Sequence, residues 1–259
     1  MRVTGPMGRT DAMRVSGKEG NPRNGEYEEP EALASLLGIL PGLTAIIGSG
    51  GKTTLMEYLA DRLPGTVLLC TSAHIRRPAR FPTLLEPSEA EVRGALGRFR
   101  AVCVGTAAEA DKLTAPSLPF PLLASLADYV LAEADGSRGL PLKAHAPWEP
   151  VIPDNASRVV LVLGLGGTGR PVREVCHRPE RYAALAGGGE AVLPDTIVTP
   201  DLAARVVAAE GLGDIVFLNQ AENETAVRHG VSLAGRLAET WPVPVVCGSL
   251  WNGTFRRLR

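Results

Sequence analysis

The sequence offers little sulfur chemistry. Four cysteines, Cys70, Cys103, Cys176 and Cys247, are scattered through 259 residues, and no two stand close enough for a Cys-x-x-Cys pair. Three of them end or sit within apolar runs (VLLC, AVCVG, PVVC), where cysteine behaves as a small hydrophobe. Neither a disulfide framework nor a clustered metal site follows from such usage, and a reducing cytoplasm is the expected setting. Charge of one sign is missing as well. The 27 Lys and Arg against 28 Asp and Glu leave a net charge of -1, so the whole chain gives no argument for a polyanion partner. Arg76, Arg77 and Arg80 form a small basic patch, but no aromatics are interleaved with it and no nucleic-acid partner is expected. No apolar run approaches the roughly 20 residues of a spanning helix, so no membrane partner is expected either. Long repeats and low-complexity tracts are absent.

What is present divides in two. Residues 1–29 are rich in Gly, Arg and Glu, poor in large aliphatics, and lack the apolar stretch of a secretion signal. That composition predicts a mobile extension, and Met7 and Met13 leave open a later start. From residue 30 to 259 the chain reads as one α/β domain. Near-continuous apolar runs at 43–47, 66–71, 101–105, 129–134, 158–164, 214–219 and 244–249 predict strands covered on both faces. Helical patterns at 53–63, 88–99, 179–187, 200–210 and 223–240 lie between them, the second opened by a Ser88/Glu91 capping box. The stretch 136–157, rich in Pro and Gly, predicts an ordered loop. The alternation predicts a doubly wound, mostly parallel sheet of about seven strands with flanking helices, like that of P-loop NTPases. In such a sheet ligands bind where strands end, so the residues after each strand carry the functional reading.

After the first strand comes Gly48-Ser49-Gly50-Gly51-Lys52-Thr53-Thr54. The standard phosphate loop, Gly-x4-Gly-Lys-Ser/Thr, would need a glycine where Ile46 stands. Ile46 reads instead as a buried strand residue, and the loop as a shortened one, similar to the Gly-x-x-Gly-Lys-Thr of Mur-type ligases. Strand, glycine loop and helix together turn backbone N–H groups and a helix dipole toward an anion. Lys52 is expected on the β- and γ-phosphates and Thr53 on Mg2+. The fourth strand runs into Glu133-Ala134-Asp135-Gly136. Two acids two residues apart share a side of a strand and suit a Mg2+ site beside a phosphate loop. Asp135 is expected on the metal, Glu133 on a water or substrate, and Arg138 and Lys143 toward substrate or partner.

Two further strand ends leave alternatives open. Gly164-Leu165-Gly166-Gly167-Thr168-Gly169 matches the dinucleotide fingerprint Gly-x-Gly-x-x-Gly. Arg170-Pro171 follows it without an amphipathic helix, which favours a loop over the site. Asn219-Gln220-Ala221-Glu222 stands where GTPases carry Asn-Lys-x-Asp. A carboxylate there accepts from guanine N1–H and N2–H2, and Glu222 is the candidate. Helix capping by Asn219 or Asn223 is the other reading of the same residues. Gly248-Ser249-Leu250 would close over the base. Thr71 and His74, after the second strand, and His177 and Arg178, before a helix, are lesser candidates for phosphate, substrate or partner. Cys176 beside them is a thiol to test for reactivity.

The blocks IIGSGGKTTL, LLCTSAHIRRP, EADGSRGLPLKAHAPWEPVIP, GTGRPVREVCHRPE and FLNQAE, in that order over about residues 35–250, resemble the YqeC-type selenium-dependent hydroxylase accessory proteins. Thr71-Ser72-Ala73-His74 stands where that family usually carries a threonine-rich run. The resemblance implies a role in the maturation of selenium-dependent molybdenum hydroxylases, with such a hydroxylase or other maturation proteins as partners. The residues themselves imply Mg2+ and a nucleoside triphosphate, ATP or GTP, that is hydrolysed or gives up a phosphoryl group. Two rivals stand beside this: a non-enzymatic, nucleotide-gated chaperone or insertase for an apo-hydroxylase, and a dinucleotide-dependent oxidoreductase using the glycines at 164–169.

Overall fold

The computed structural model describes residues 32–187 and 192–259. The extension expected at 1–29 lies outside them. The chain runs α1 (Ala32–Leu37), β1 (Gly42–Gly48), α2 (Lys52–Arg62), β2 (Val67–Thr71), β3 (His74–Arg76), β4 (Thr83–Leu85), α3 (Glu89–Leu96), β5 (Ala101–Ala108) and β6 (Lys112–Thr114). It continues through α4 (Phe120–Leu126), β7 (Tyr129–Glu133), β8 (Leu142–Lys143) and β9 (Ala156–Gly164). After a 3-10 turn at Leu165–Gly167 come α5 (Val172–Val175), β10 (Cys176–His177), α6 (Pro179–Gly187), α7 (Pro200–Glu210), β11 (Ile215–Asn219), α8 (Glu224–Thr240), β12 (Val245–Ser249) and β13 (Thr254–Arg257).

The sheet is mostly parallel, but among the described residues it holds eleven strands rather than about seven. The expected runs form its consecutive parallel core, in the order β12-β11-β9-β1-β7-β2-β5. Short strands extend both sides. β13 pairs antiparallel with β12, β6 antiparallel with β5, β3 antiparallel with β6, and β4 lies parallel to β5. Three- and four-residue strands with mixed polarity carry too little periodicity to stand out in sequence. A separate two-stranded pair joins β8 to β10, Lys143 opposite His177. The helices at 179–187 and 200–210 lie where expected, whereas α3 stops at Leu96, where Gly97 takes over. Its capping box is present: Ser88 accepts from the Glu91 N–H, and the Glu91 carboxylate accepts from Ser88 N–H at 2.8 Å.

Every residue of β2, β7, β11 and β12 is buried, as strands covered on both faces require. The pleat sends alternate residues to opposite layers. Ile46, Val160, Val162 and Phe217 face α1 and α2. Ala45, Ile47, Leu161, Leu163 and Leu218 face the layer of α6, α7 and α8. Leu68, Val102 and Val130 pack against α3 and α4. Ile46 is therefore a core residue. β1 lies between β7 and β9, and the chain lays β2 and β5 on one side of it and β11 and β12 on the other. That divergence falls at the carboxyl end of β1, the place where open α/β sheets bind ligands.

An aromatic stack ties α2 to this half of the sheet. Phe255 meets Tyr58 edge-on at 5.4 Å between centroids and Phe217 at 6.1 Å. Phe217 and Phe255 are fully buried. Phe217→Ala is expected to lower the unfolding free energy by about 3–5 kcal/mol, read from the midpoint of urea denaturation.

Candidate functional site

The loop between β1 and α2 is built for close approach. Gly50 and Gly51 have φ of +84° and +123°. A Cβ on Gly50 would meet the Gly164 backbone nitrogen at 2.3 Å, and one on Gly51 would meet Asn219 Nδ2 at 2.5 Å. Only glycine fits both the backbone and the space. α2 then starts with no side-chain cap on its N-terminus, so its first N–H groups have no intrahelical partner. Ser49 is buried and donates to Pro141 O at 2.9 Å. Thr54 is exposed on the first turn.

Lys52 turns back beneath this loop and is only 3% exposed. Its ammonium donates to Gly48 O at 2.6 Å and lies 3.0 Å from Asp135 Oδ1 and 3.4 Å from Glu133 Oε1. Burial alone would lower its pKa, but the two carboxylates outweigh burial and raise it. Thr53 donates to Glu133 Oε2 at 2.9 Å. The hydroxyl expected to share a metal with Asp135 therefore sits on the other acid. Burial raises the Glu133 pKa against the pull of Lys52 and Thr53.

Asp135 is fully buried and its two oxygens differ. Oδ2 accepts from Gly48 N–H at 2.8 Å and meets His145 Nε2 at 2.7 Å and Lys143 Nζ at 3.1 Å. Oδ1 accepts no well-aligned hydrogen bond and faces the Lys52 ammonium. Burial pushes this carboxyl up, but the His145 bond and the charges of Lys52, Lys143 and His145 hold it well below the usual range. His145 continues the relay: its Nδ1 meets Glu210 Oε2 at 2.8 Å, and its backbone N–H donates to Glu210 Oε1 at 2.6 Å. Burial would lower the His145 pKa, and the Asp135 and Glu210 bonds raise it instead. Lys143 also donates to Gly136 O at 2.8 Å and Glu149 Oε2 at 3.0 Å, while Arg178 grips Glu149 through both nitrogens at 2.8 and 3.1 Å.

The sequence candidates thus separate. Gly48, Lys52, Thr53, Glu133, Asp135 and Lys143 form one cluster, and Arg178 joins it through Glu149. Asn219 is tied to the loop, its Nδ2 donating to Gly50 O at 2.8 Å and its Oδ1 accepting from Leu250 N–H at 3.2 Å. Thr71 is fully buried and spends its hydroxyl on Glu133 O at 2.7 Å, which holds a strand end. His74 lies exposed on β3, the outermost strand of the sheet path, and bonds to none of the cluster. Arg138 is exposed with φ of +52°. Lys143, expected toward substrate or partner, is 6% exposed and paired with Asp135 and Glu149. His177 is half-buried beside Lys143, and burial with the charges of Arg178, Lys143 and Arg138 lowers its pKa. Cys176 is buried, and burial pushes its thiol up to about 12, which disfavours the reactive thiolate. Glu222 is exposed and lines an open cavity.

His145, Glu149 and Glu210 were missed. Glu210 carried one readable signal, since a carboxylate ending a helix opposes the dipole and calls for a partner. Gly164 ends β9, Leu165–Gly167 form a 3-10 turn, and Gly169 lies in a further turn with φ of +81°, with only the four-residue α5 following. Gly164 and Gly166 pack on Gln220 Oε1, and Gly167 on Leu142. Their smallness serves packing, and the helix that a dinucleotide fingerprint needs does not start there.

The fold and this site define an α/β protein whose glycine loop and buried charge cluster meet at the carboxyl edge of a mostly parallel sheet. The family model described as YqeC protein matches residues 44–180, from β1 through the acids to α6. A protein of Escherichia coli (strain K12) described as uncharacterized protein YqeC is 30% identical over 198 residues, covering 71% of this chain and 75% of that relative. The chain belongs to the YqeC family.

Asp135→Asn is expected to lower the unfolding free energy by about 3–5 kcal/mol at neutral pH, because Lys52, Lys143 and His145 lose a buried countercharge. A carboxyl whose pKa folding depresses adds stability above its unfolded value of about 3.9 and loses it as pH falls further. The gap between variant and wild type in urea unfolding should hold from about pH 6 to about pH 4 and narrow below.

Proposed function

We propose that this protein binds a Mg2+–nucleoside triphosphate at the 48–54 loop and hydrolyses it or transfers its phosphoryl group. The observation that carries this reading is the position of the Lys52 ammonium. It lies at the start of a helix that no side chain caps, between two acids, 3.4 Å from Glu133 Oε1 and 3.0 Å from Asp135 Oδ1, a buried oxygen for which the ammonium is the facing charge. The donor set fits: hard oxygens from Thr53 and Asp135 Oδ1 suit Mg2+, which takes one or two carboxylates and completes its shell with phosphates and water. Among the described residues no group of three or more His, Cys, Asp or Glu forms a metal cage, so the phosphates are needed to finish such a site. When bound, the ion supplies neutralisation of phosphate charge.

The chain's own residues do the remainder. Gly50, Gly51 and the first turn of α2 turn N–H groups to the phosphates. Lys52 exchanges its bond to Gly48 O for a phosphate oxygen. Glu133, with its proton affinity raised by burial, orients the attacking water or hydroxyl and takes its proton. Asp135 holds Gly48 N–H and so fixes where the loop begins. Rate then comes from positioning and charge stabilisation, as phosphoryl transfer generally requires. The maturation of selenium-dependent molybdenum hydroxylases is taken as the pathway on the resemblance of the motif blocks.

One observation favours the nucleotide-gated chaperone as a second reading. Asp135 is joined through Lys143 to β8, and β8 pairs with β10 at the end of the 164–177 segment. Any change of partners at Asp135 is therefore felt there. Hydrolysis that appears only with an apo-hydroxylase present would select this reading, and hydrolysis by the protein alone would reject it.

Lys52→Ala is expected to weaken Mg2+–triphosphate binding by about 10- to 100-fold, the worth of one charge-assisted hydrogen bond. Calorimetry on the folded variant reads this, and unchanged affinity and turnover would refute the proposal.

A further inference from the structure

Beyond the phosphate loop, the same edge of the sheet carries an open cavity of about 470 Å³. That is within the range of small-molecule sites, roughly 300–1,000 Å³. Its walls are the turn after β11, the first turns of α8 and the turn between β12 and β13, with Glu222, Asn223, Val227, Arg228, Asn252 and Thr254 among the lining residues. Both walls hang from the phosphate loop. Asn219 bonds Gly50 O with one end of its amide and Leu250 N–H with the other. Ala221 N–H donates to Gly248 O at 3.0 Å, and Asn252 N–H to Ser249 Oγ at 3.1 Å.

The two readings of Asn219 to Asn223 are now separable. Asn223 caps α8, accepting from Ala226 N–H at 2.9 Å. Asn219 caps nothing and ties the cavity to the loop. Arg228 is engaged by Glu224 and Thr225. Glu222 is exposed at the cavity, and no ion pair or hydrogen bond occupies its carboxylate among the described residues.

We propose that this cavity receives the base of the bound nucleotide and that Glu222 selects guanine. This rests on the triphosphate reading and extends it. A carboxylate only accepts hydrogen bonds. Guanine presents two adjacent donors, N1–H and the N2 amine, which match its two oxygens. Adenine offers N1 as an acceptor and C2–H at that edge, leaving the carboxylate desolvated and unpaired. Val227 supplies an apolar wall for the ring, and Asn219 is a positioning residue that holds the turn at the loop.

The test is calorimetry on the full chain with Mg2+ and GTP, ATP or XTP, using wild type, Glu222→Gln and Lys52→Ala. Wild type should prefer GTP over ATP by about 100-fold or more, as sites built on paired donors do. Glu222→Gln should lose GTP affinity by a similar factor and gain affinity for XTP, because an amide donates to the C2 oxygen that xanthine carries in place of the amine. A merely structural role for Glu222 would not produce that reversal, and the melting temperature of this surface variant should match wild type. Equal binding of ATP and GTP, or a GTP-to-XTP ranking unchanged in Glu222→Gln, overturns the guanine inference. If Lys52→Ala still weakens binding in that case, the phosphate site stands without it. If no triphosphate binds wild type, both fall.

Discussion

The Lys52 ammonium, buried between Glu133 and Asp135, is the interaction on which the rest of the site depends. Three ionised groups removed from water are tolerable only if each finds a partner. Removal of any one leaves the others uncompensated, so the glycine loop, the end of β7 and the start of α2 must be placed together. The parallel sheet does this by setting β1 directly beside β7, with Ile46 opposite Glu133 in the register.

From Asp135 the charge pairing runs outward by two routes. One passes through His145 to Glu210 at the end of α7. The other passes through Lys143 and Glu149 to Arg178 at the start of α6. Each buried charge is answered by the next until the last lies near solvent. Together they bind the long loop after β7 to the helical layer on one face of the sheet. The glycine loop is thereby connected to elements far from it in the chain.

Much of this was legible in the residues, and the parts that were not have physical reasons. Buried parallel strands need unbroken aliphatic runs, so β1, β2, β5, β7, β9, β11 and β12 announce themselves. β3, β4, β6 and β13 draw their stability from pairing with neighbours and carry little pattern of their own. Ser88 with Glu91 is a local device and reads directly. The Lys52–Thr53 segment and the two acids at and just past the end of β7 were readable from their places at strand ends. Which acid meets Thr53 was not, because that depends on side-chain direction where β7 ends. Lys143 read as a substrate or partner contact because it follows the strand-end acids closely in the chain, and its ammonium is buried against Asp135.

The sequence by itself determined the parallel α/β core, the shortened glycine loop and the nearness of two acids to a lysine, since each follows from short-range periodicity or from the order of strand and loop. Tertiary structure alone decided the partners. It buried Lys143 and His145, joined His145 to Glu210 across 65 positions of chain, separated His74 from the cluster, and set Asn219 between Gly50 and Leu250. Long-range charge pairing has no period along the chain. It is settled by which strand ends the sheet order brings side by side.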